Sequence, residues 1–245
     1  MTVQYASDSE LGYLASATPF ESIASMRLDE AYRLAHLPLV APSHPDVIAR
    51  KHGSGYEMGR HRATLSLVAP LDPDVLEASA HWRHLIGELR TGPLAGKLAW
   101  DILPKRRHRL HATLCGSLTA DRPDDETLAA CRGIGPIRVA VRGLFSGNIN
   151  LGRLYLRLYP EIMAGSPAFH AVQRVFGKAP GSLFLAGMFN LTDHLDVHET
   201  GWLARLIATN WQTHYADFVL RDLWLLESTD DLVLDSRIVA RVPLT

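Results

Sequence analysis

The chain predicts an α+β fold, antiparallel sheets with helices outside. Three observations carry that expectation. Short runs of alternating apolar and polar residues recur between turn residues, the pattern of half-buried strands. The elements run strand, helix, two strands, helix, strand, then strand, helix, strand, helix, two strands, close to one unit written twice. No GxGxxG or GxxxxGK[ST] follows any strand, which disfavours a doubly wound nucleotide fold.

Residues 1–55 read as an N-terminal arm, and residues 56–245 as the main domain. In the arm, "RLDEAYRLAHL" has helical spacing in Leu28, Tyr32 and Ala35, and "PLVAPSHPDVIARKHGSG" is rich in proline and glycine. Regular patterning starts with the strand "HRATLSLVAPL". Asp72-Pro73 then supplies an N-cap and a first-turn proline for a helix through "DVLEASAHWRHLIGEL". "KLAWDIL" and "HRLHATLCGSL" read as strands joined by the basic turn 104–107. "DDETLAACRG" reads as a short helix closed by Gly133. "IRVAVRGLFSG" and "GRLYLRLYP" form a hairpin about 147–150, and Ser166-Pro167 opens the helix "AFHAVQRVFG". "SLFLAGMFNLT" is a strand. Asp196 and Glu199 stand at capping-box spacing before the helix "GWLARLIATNWQTH". "DFVLRDLWLLES" and "LVLDSRIVARVPL" close the chain as an antiparallel pair about the turn 229–231.

Composition narrows the function. The 245 residues are 47% hydrophobic and 21% charged, ordinary for a globular protein. A formal net charge of −1 gives no global attraction to nucleic acid, so an anion site must be local. Cys115 and Cys131 are too few for a disulfide framework and have no CxxC spacing. No signal-like start and no 18-residue apolar run is present, so the expectation is a cytoplasmic protein without membrane contact. No cofactor, metal or obligate protein partner is expected.

The chemistry is concentrated in "RHRLHATLCGSL". Alternate residues of a strand share a face, so His111 and Thr113 point together, and Cys115 with them. In the second half the strand in the corresponding place ends in Asn190-Leu191-Thr192. The run Lys105-Arg106-Arg107-His108-Arg109 leads into the first motif, and Lys105, Arg107 and Arg109 above all could hold an anionic substrate. Tyr155 could stack a base. His194 and His198 stand near the second motif as a replacement base or, less in keeping with the Asp196 cap, a zinc pair.

On "WDILPKRRHRLHATL", "GRLYLRLYP" and "GMFNLTD", the chain resembles the 2H phosphoesterases, the LigT-like or 2′-5′ RNA ligase-like family, over roughly residues 60–243. The resemblance implies a bilobal, pseudo-two-fold fold with an Hx[S/T] motif on a central strand of each lobe and a phosphate held between them. It implies metal-independent acid–base cleavage of 2′,3′-cyclic phosphates or 2′-5′ phosphodiesters in RNA ends or small nucleotides. His111, Thr113, Asn190 and Thr192 would form the catalytic set, with Asn190 where the second histidine is expected. An amide cannot exchange a proton at neutral pH, so activity is expected to be impaired. A non-catalytic nucleotide or RNA-end binder on the same fold is the alternative.

Overall fold

The computed structural model describes residues 3–118 and 123–245. Three short helices lie in the arm: α1 (Tyr13–Ser16), α2 (Glu30–Ala35) and α3 (Leu37–Val40). Strand β1 (Arg60–Pro70) leads into α4 (Pro73–Ala78) and α5 (Ala80–Thr91), then α6 (Ile102–Arg106) and β2 (His111–Leu118). Next come α7 (Asp125–Ile134), β3 (Ile137–Ser146), β4 (Arg153–Pro160), and the small pair β5 (Ile162–Met163) and β6 (Ser166–Pro167). The chain ends with α8 (Ala168–Val175), β7 (Leu185–Asn190), α9 (Val197–Asn210), β8 (His214–Leu220), β9 (Asp222–Asp230) and β10 (Ser236–Pro243).

The fold is α+β. Eight strands form one antiparallel sheet in the order β10-β9-β1-β2-β7-β4-β3-β8, with β2 and β7 at its centre. The sheet curls. Its edge strand β8 runs into β9, next to the opposite edge, through the single residue Arg221. One residue spans only ~3.4 Å while each strand spacing is ~4.8 Å, so such a link requires the two edges to approach each other. Only Arg221-Asp222 interrupts the apolar run in "DFVLRDLWLLES", with no glycine or proline to mark a turn, which is why one strand was expected where two occur.

Two further expectations change. The helix after Asp72 is divided at Ser79, whose extended backbone ends α4 and whose side chain accepts from Trp82 N–H to cap α5. "KLAWDIL" is turn and helix instead of strand. Ala99 and Ile102, three apart, both pack against Leu232, the contact pattern of a helical turn. The caps at Asp72 and Asp196 form as the sequence indicates, the latter as a complete capping box.

One sheet face carries the main core. Leu65, Leu67 and Ala69 of β1, Leu223 and Leu225 of β9, and Trp82, Leu85 and Leu89 of α5 are all buried in it. The arm joins the same core through Leu11, Tyr13, Met26, Leu28, Tyr32 and Leu37. Its polar anchors are equally specific. The Tyr13 hydroxyl reaches the carbonyl oxygens of Leu158 (2.7 Å) and Phe184 (2.9 Å), and Tyr32 donates to that of Leu191 (2.7 Å). Asp8 accepts from Arg157 (2.8 Å), Trp211 (3.0 Å) and Gln212 (3.1 Å), holding a fully buried guanidinium by a charged pair. No helix among the described residues is long and apolar enough to cross a membrane.

Candidate functional site: a cationic cavity beside His111

The other face of the sheet, over β1, β2, β4, β7 and β9, holds a polar cavity of about 280 Å³. His111 and Thr113 line it from β2, Thr64 and Ser66 from β1, Arg153 and Tyr155 from β4, and Ser228 from β9. A register shift in the β1–β2 ladder decides which β2 residues face this way. It sets Thr113 beside Val68 and Cys115 beside Leu67, so Cys115 turns into the core instead of sharing the His111 face. Burial then pushes its thiol up to about 11.

The register of β7 relocates the second half of the site. Ala112 pairs with Ala186, which places Leu185 and Gly187 next to Thr113 and His111, and both line the cavity. Asn190 and Thr192 do not line it. They continue toward the segment before α6: Ala99 N–H donates to the Asn190 carbonyl (3.0 Å), and Thr192 N–H donates to that of Lys97 (2.9 Å). Asn190 is buried with neither amide atom hydrogen-bonded. The residues beside "HAT" are therefore "LAG", five positions before the expected "NLT".

Gly187 has a consequence of its own. A Cβ placed there would lie 2.2–2.6 Å from the Arg153 guanidinium. The missing side chain is what lets Arg153 lie across β7 next to His111. Arg153 also sits over the Tyr155 ring, 5.3 Å from its centroid, and has no carboxylate partner among the described residues. A second guanidinium, that of Arg106, is fully buried. It donates to the Gly187 carbonyl (2.9 Å), while its Nε and Nη1 have no partner. Burial, and then the nearby Arg153 charge, brings Arg106 down to about 9, partly offset by Asp230, so it stays charged at neutral pH. His36, from the end of α2, is buried nearby with both ring nitrogens unpartnered. Its own burial and then the two arginines keep it neutral.

His111 is shaped for one role. Its Nδ1 stands 2.7 Å from the Arg109 carbonyl and must donate to it, which leaves Nε2 as an acceptor. Burial is the main cause that lowers its pKa to about 4. The charges of Arg106 and Arg153 push the same way, against the Arg109 carbonyl. A neutral imidazole beside Arg153, which has no carboxylate partner among the described residues, can accept a proton while the guanidinium holds negative charge. The carboxylate of Asp230, also in the lining, is occupied by the N–H groups of Leu232, Leu234 and Asp235 at 2.9–3.0 Å.

The basic run before His111 disperses. Lys105 pairs with Asp101 (2.6 Å), and Arg107 pairs with Glu77 and Asp74 on the surface. Arg109 faces a neighbouring pocket with Trp224 and Arg241. None of the three lines the cavity; of the four residues expected to contact substrate, only Tyr155 does. His194 is clamped by the arm: its Nδ1 accepts from Leu28 N–H (3.0 Å) and its Nε2 meets Asp46 (2.6 Å). Arg153 and Gly187 were missed, and Arg106 was read only as one member of the basic run before His111. The available signal was an arginine alternating with apolar residues in "GRLYLRLYP", since a charge on an otherwise apolar strand needs a reason. No protein-family model matches the chain, and no curated protein matches it.

Proposed function

We propose that this cavity binds the phosphate of a nucleotide or RNA end, a 2′,3′-cyclic phosphate or 2′-5′ phosphodiester, as a 2H-type phosphoesterase-like site with one proton-transferring histidine. The observation that supports this best is Arg153, a half-buried guanidinium with no ion-pair partner among the described residues, beside a neutral histidine whose free nitrogen accepts, with the fully buried Arg106 on the neighbouring Gly187 carbonyl. Burying a charge without a partner is costly, and an anionic ligand relieves that cost. The strand order agrees with two four-stranded halves meeting at β2 and β7, as the bilobal fold requires. In this reading His111 Nε2 takes the proton from the attacking hydroxyl or water. Thr113 donates to a phosphate oxygen, Arg153 stabilises the charge that builds on the phosphoryl oxygens, and the buried Arg106 adds its positive field from outside the lining. The leaving oxygen takes its proton from water, because arginine stays protonated.

That last step makes turnover slow, by about 10²- to 10⁴-fold relative to a two-histidine site. The apolar pair Leu185 and Gly187 beside the motif also favours the second reading, a binder without turnover. Equilibrium binding of a 2′-nucleotide and hydrolysis of a 2′,3′-cyclic nucleotide test both. Binding that Arg153→Ala weakens, with hydrolysis that His111→Ala removes, supports the esterase. Binding without hydrolysis supports the binder. A protein that binds neither compound overturns the proposal.

A further inference from the structure

The segment "RKHGSGYEMGRHR", residues 50–62, lies almost entirely outside the stretch that resembles a phosphoesterase, yet it sits at the cavity's edge. It doubles back on itself through the bridges Arg50–Glu57 and Glu57–Arg60, with Gly53, Gly55 and Gly59 at positive φ. Within this turn a broad concavity is lined by Arg50, Lys51, His52, Arg60, His61 and Arg62, with Glu57 the one carboxylate. The chain as a whole is almost neutral, so this is a strong local segregation of positive charge. Lys51, Arg60 and His61 meet carboxylates, Glu30, Asp235 (3.4 Å) and Asp231 (3.3 Å) respectively. Arg50 and Arg62 have no ion-pair partner among the described residues.

His61 belongs to both the concavity and the His111 cavity. It stands near the start of β1, whereas His111 pairs with Pro70 at the other end of the strand. The polar surface joining them, through Thr64 and Ser66, therefore runs the length of β1, at most about 30 Å.

We propose that the 50–62 turn is a backbone-tracking surface for a single RNA strand whose terminal phosphate occupies the His111 cavity. This rests on the phosphate-site reading and names the substrate class as an oligoribonucleotide instead of a mononucleotide. The arginines contact phosphates, and their contribution is electrostatic and insensitive to sequence.

The test compares two probes on wild type and on the double variant Arg50→Ala/Arg62→Ala, whose side chains are exposed and outside the proposed machinery. The probes are a fluorescein-labelled oligoribonucleotide ending in a 3′-phosphate, read by anisotropy, and a 2′-mononucleotide, read by calorimetry. Wild type is expected to bind the oligonucleotide more tightly, with a slope of log affinity against log salt of about −2 to −3 for three or four phosphate contacts. The double variant is expected to lose about ten-fold or more in oligonucleotide affinity at low salt. Its slope should become shallower by about 1.4, with mononucleotide affinity changed less than two-fold. Equal oligonucleotide affinity and slope in the two proteins overturns the inference even if the mononucleotide binds. A turn-dependent oligonucleotide affinity without mononucleotide binding keeps the backbone-tracking role of the turn and overturns the phosphate-site reading, and with it the terminal phosphate in the His111 cavity. Turn-dependent binding to phosphatidylserine vesicles with none to the oligonucleotide overturns it in favour of a membrane surface.

Discussion

Strands β2 and β7 are neighbours at the centre of the sheet, and they reach the same cavity with opposite equipment. β2 presents an imidazole and a hydroxyl, His111 and Thr113; β7 presents Leu185 and Gly187, which have no polar atom in their side chains. The polar function on the β7 side comes from one strand further away, where Arg153 of β4 lies in the space that Gly187 leaves. The difference teaches that a strand can contribute to a site by what it omits. It also divides the chemistry. The β2 side can move a proton, while the β7 side can only hold charge.

The sharpest way to break this contrast is to remove the one group that moves protons. If turnover is observed, His111→Ala is expected to lower kcat/KM by about 10²- to 10⁴-fold. Phosphate binding should survive, because the guanidinium groups remain. Loss of binding together with turnover would show that His111 holds the anion instead of exchanging a proton with it.

Adding a histidine to the β7 side should even out the two strands. Leu185→His places an imidazole in the cavity beside the first motif and is expected to raise cyclic phosphodiesterase activity ten-fold or more. Asn190→His is expected to give no gain, because position 190 is buried outside the cavity. A gain at 190 and none at 185 would mean that the strand register does not describe the working site.

Gly187→Ala tests the space itself. The added methyl group meets the far end of a flexible side chain, so the fold should persist while Arg153 is displaced. Phosphate affinity is expected to fall about ten-fold, the scale of one charged hydrogen bond. Adding Arg153→Ala to Gly187→Ala should then cost little more, since both changes remove the same contact. Additive losses in the double variant would separate Gly187 from Arg153.

These variants also mark what the sequence made legible. The α+β class, the strand carrying His111 and Thr113, and the caps at Asp72 and Asp196 were readable because each follows from local periodicity or a capping residue. The partner of the first motif was not. A polar tripeptide near a strand end, "NLT", carries more chemical signal than "LAG", yet strand register is set by pairing partners that no local pattern reveals. The basic run misled for a related reason. Lys105 and Arg107 meet Asp101, Asp74 and Glu77 on nearby helices, so their charge is spent before it reaches the site. Arg153 escaped, and Arg106 could not be told from its neighbours in the run, because their meaning comes from the absence of a charged partner inside the fold, which only the folded chain shows.

The smallest expected effect is a shift in a titration, and it tests how closely the two sides of the site are coupled. His111 titrates near 4 in the folded protein, against about 6.5 for an unperturbed histidine. Between those values the unfolded chain carries a proton that the folded chain refuses. The stability linked to a neutral His111 is therefore fully present above about pH 6.5 and is lost as the pH falls toward 4. The base form persists over the same window, so the acid limb of any kcat/KM profile should lie near 4, not near 6.5. Burial is the first cause of the shift, and the Arg106 and Arg153 charges add to it. Arg153→Gln removes one of those charges and leaves the burial, so the His111 resonance followed by NMR should titrate higher, by less than the full return to 6.5. A resonance that stays near 4 would show that burial and Arg106 set the value and that Arg153 does not act on His111. One that returns fully to 6.5 would show that the ring has opened to water, and the arginine would then be part of what seals the cavity.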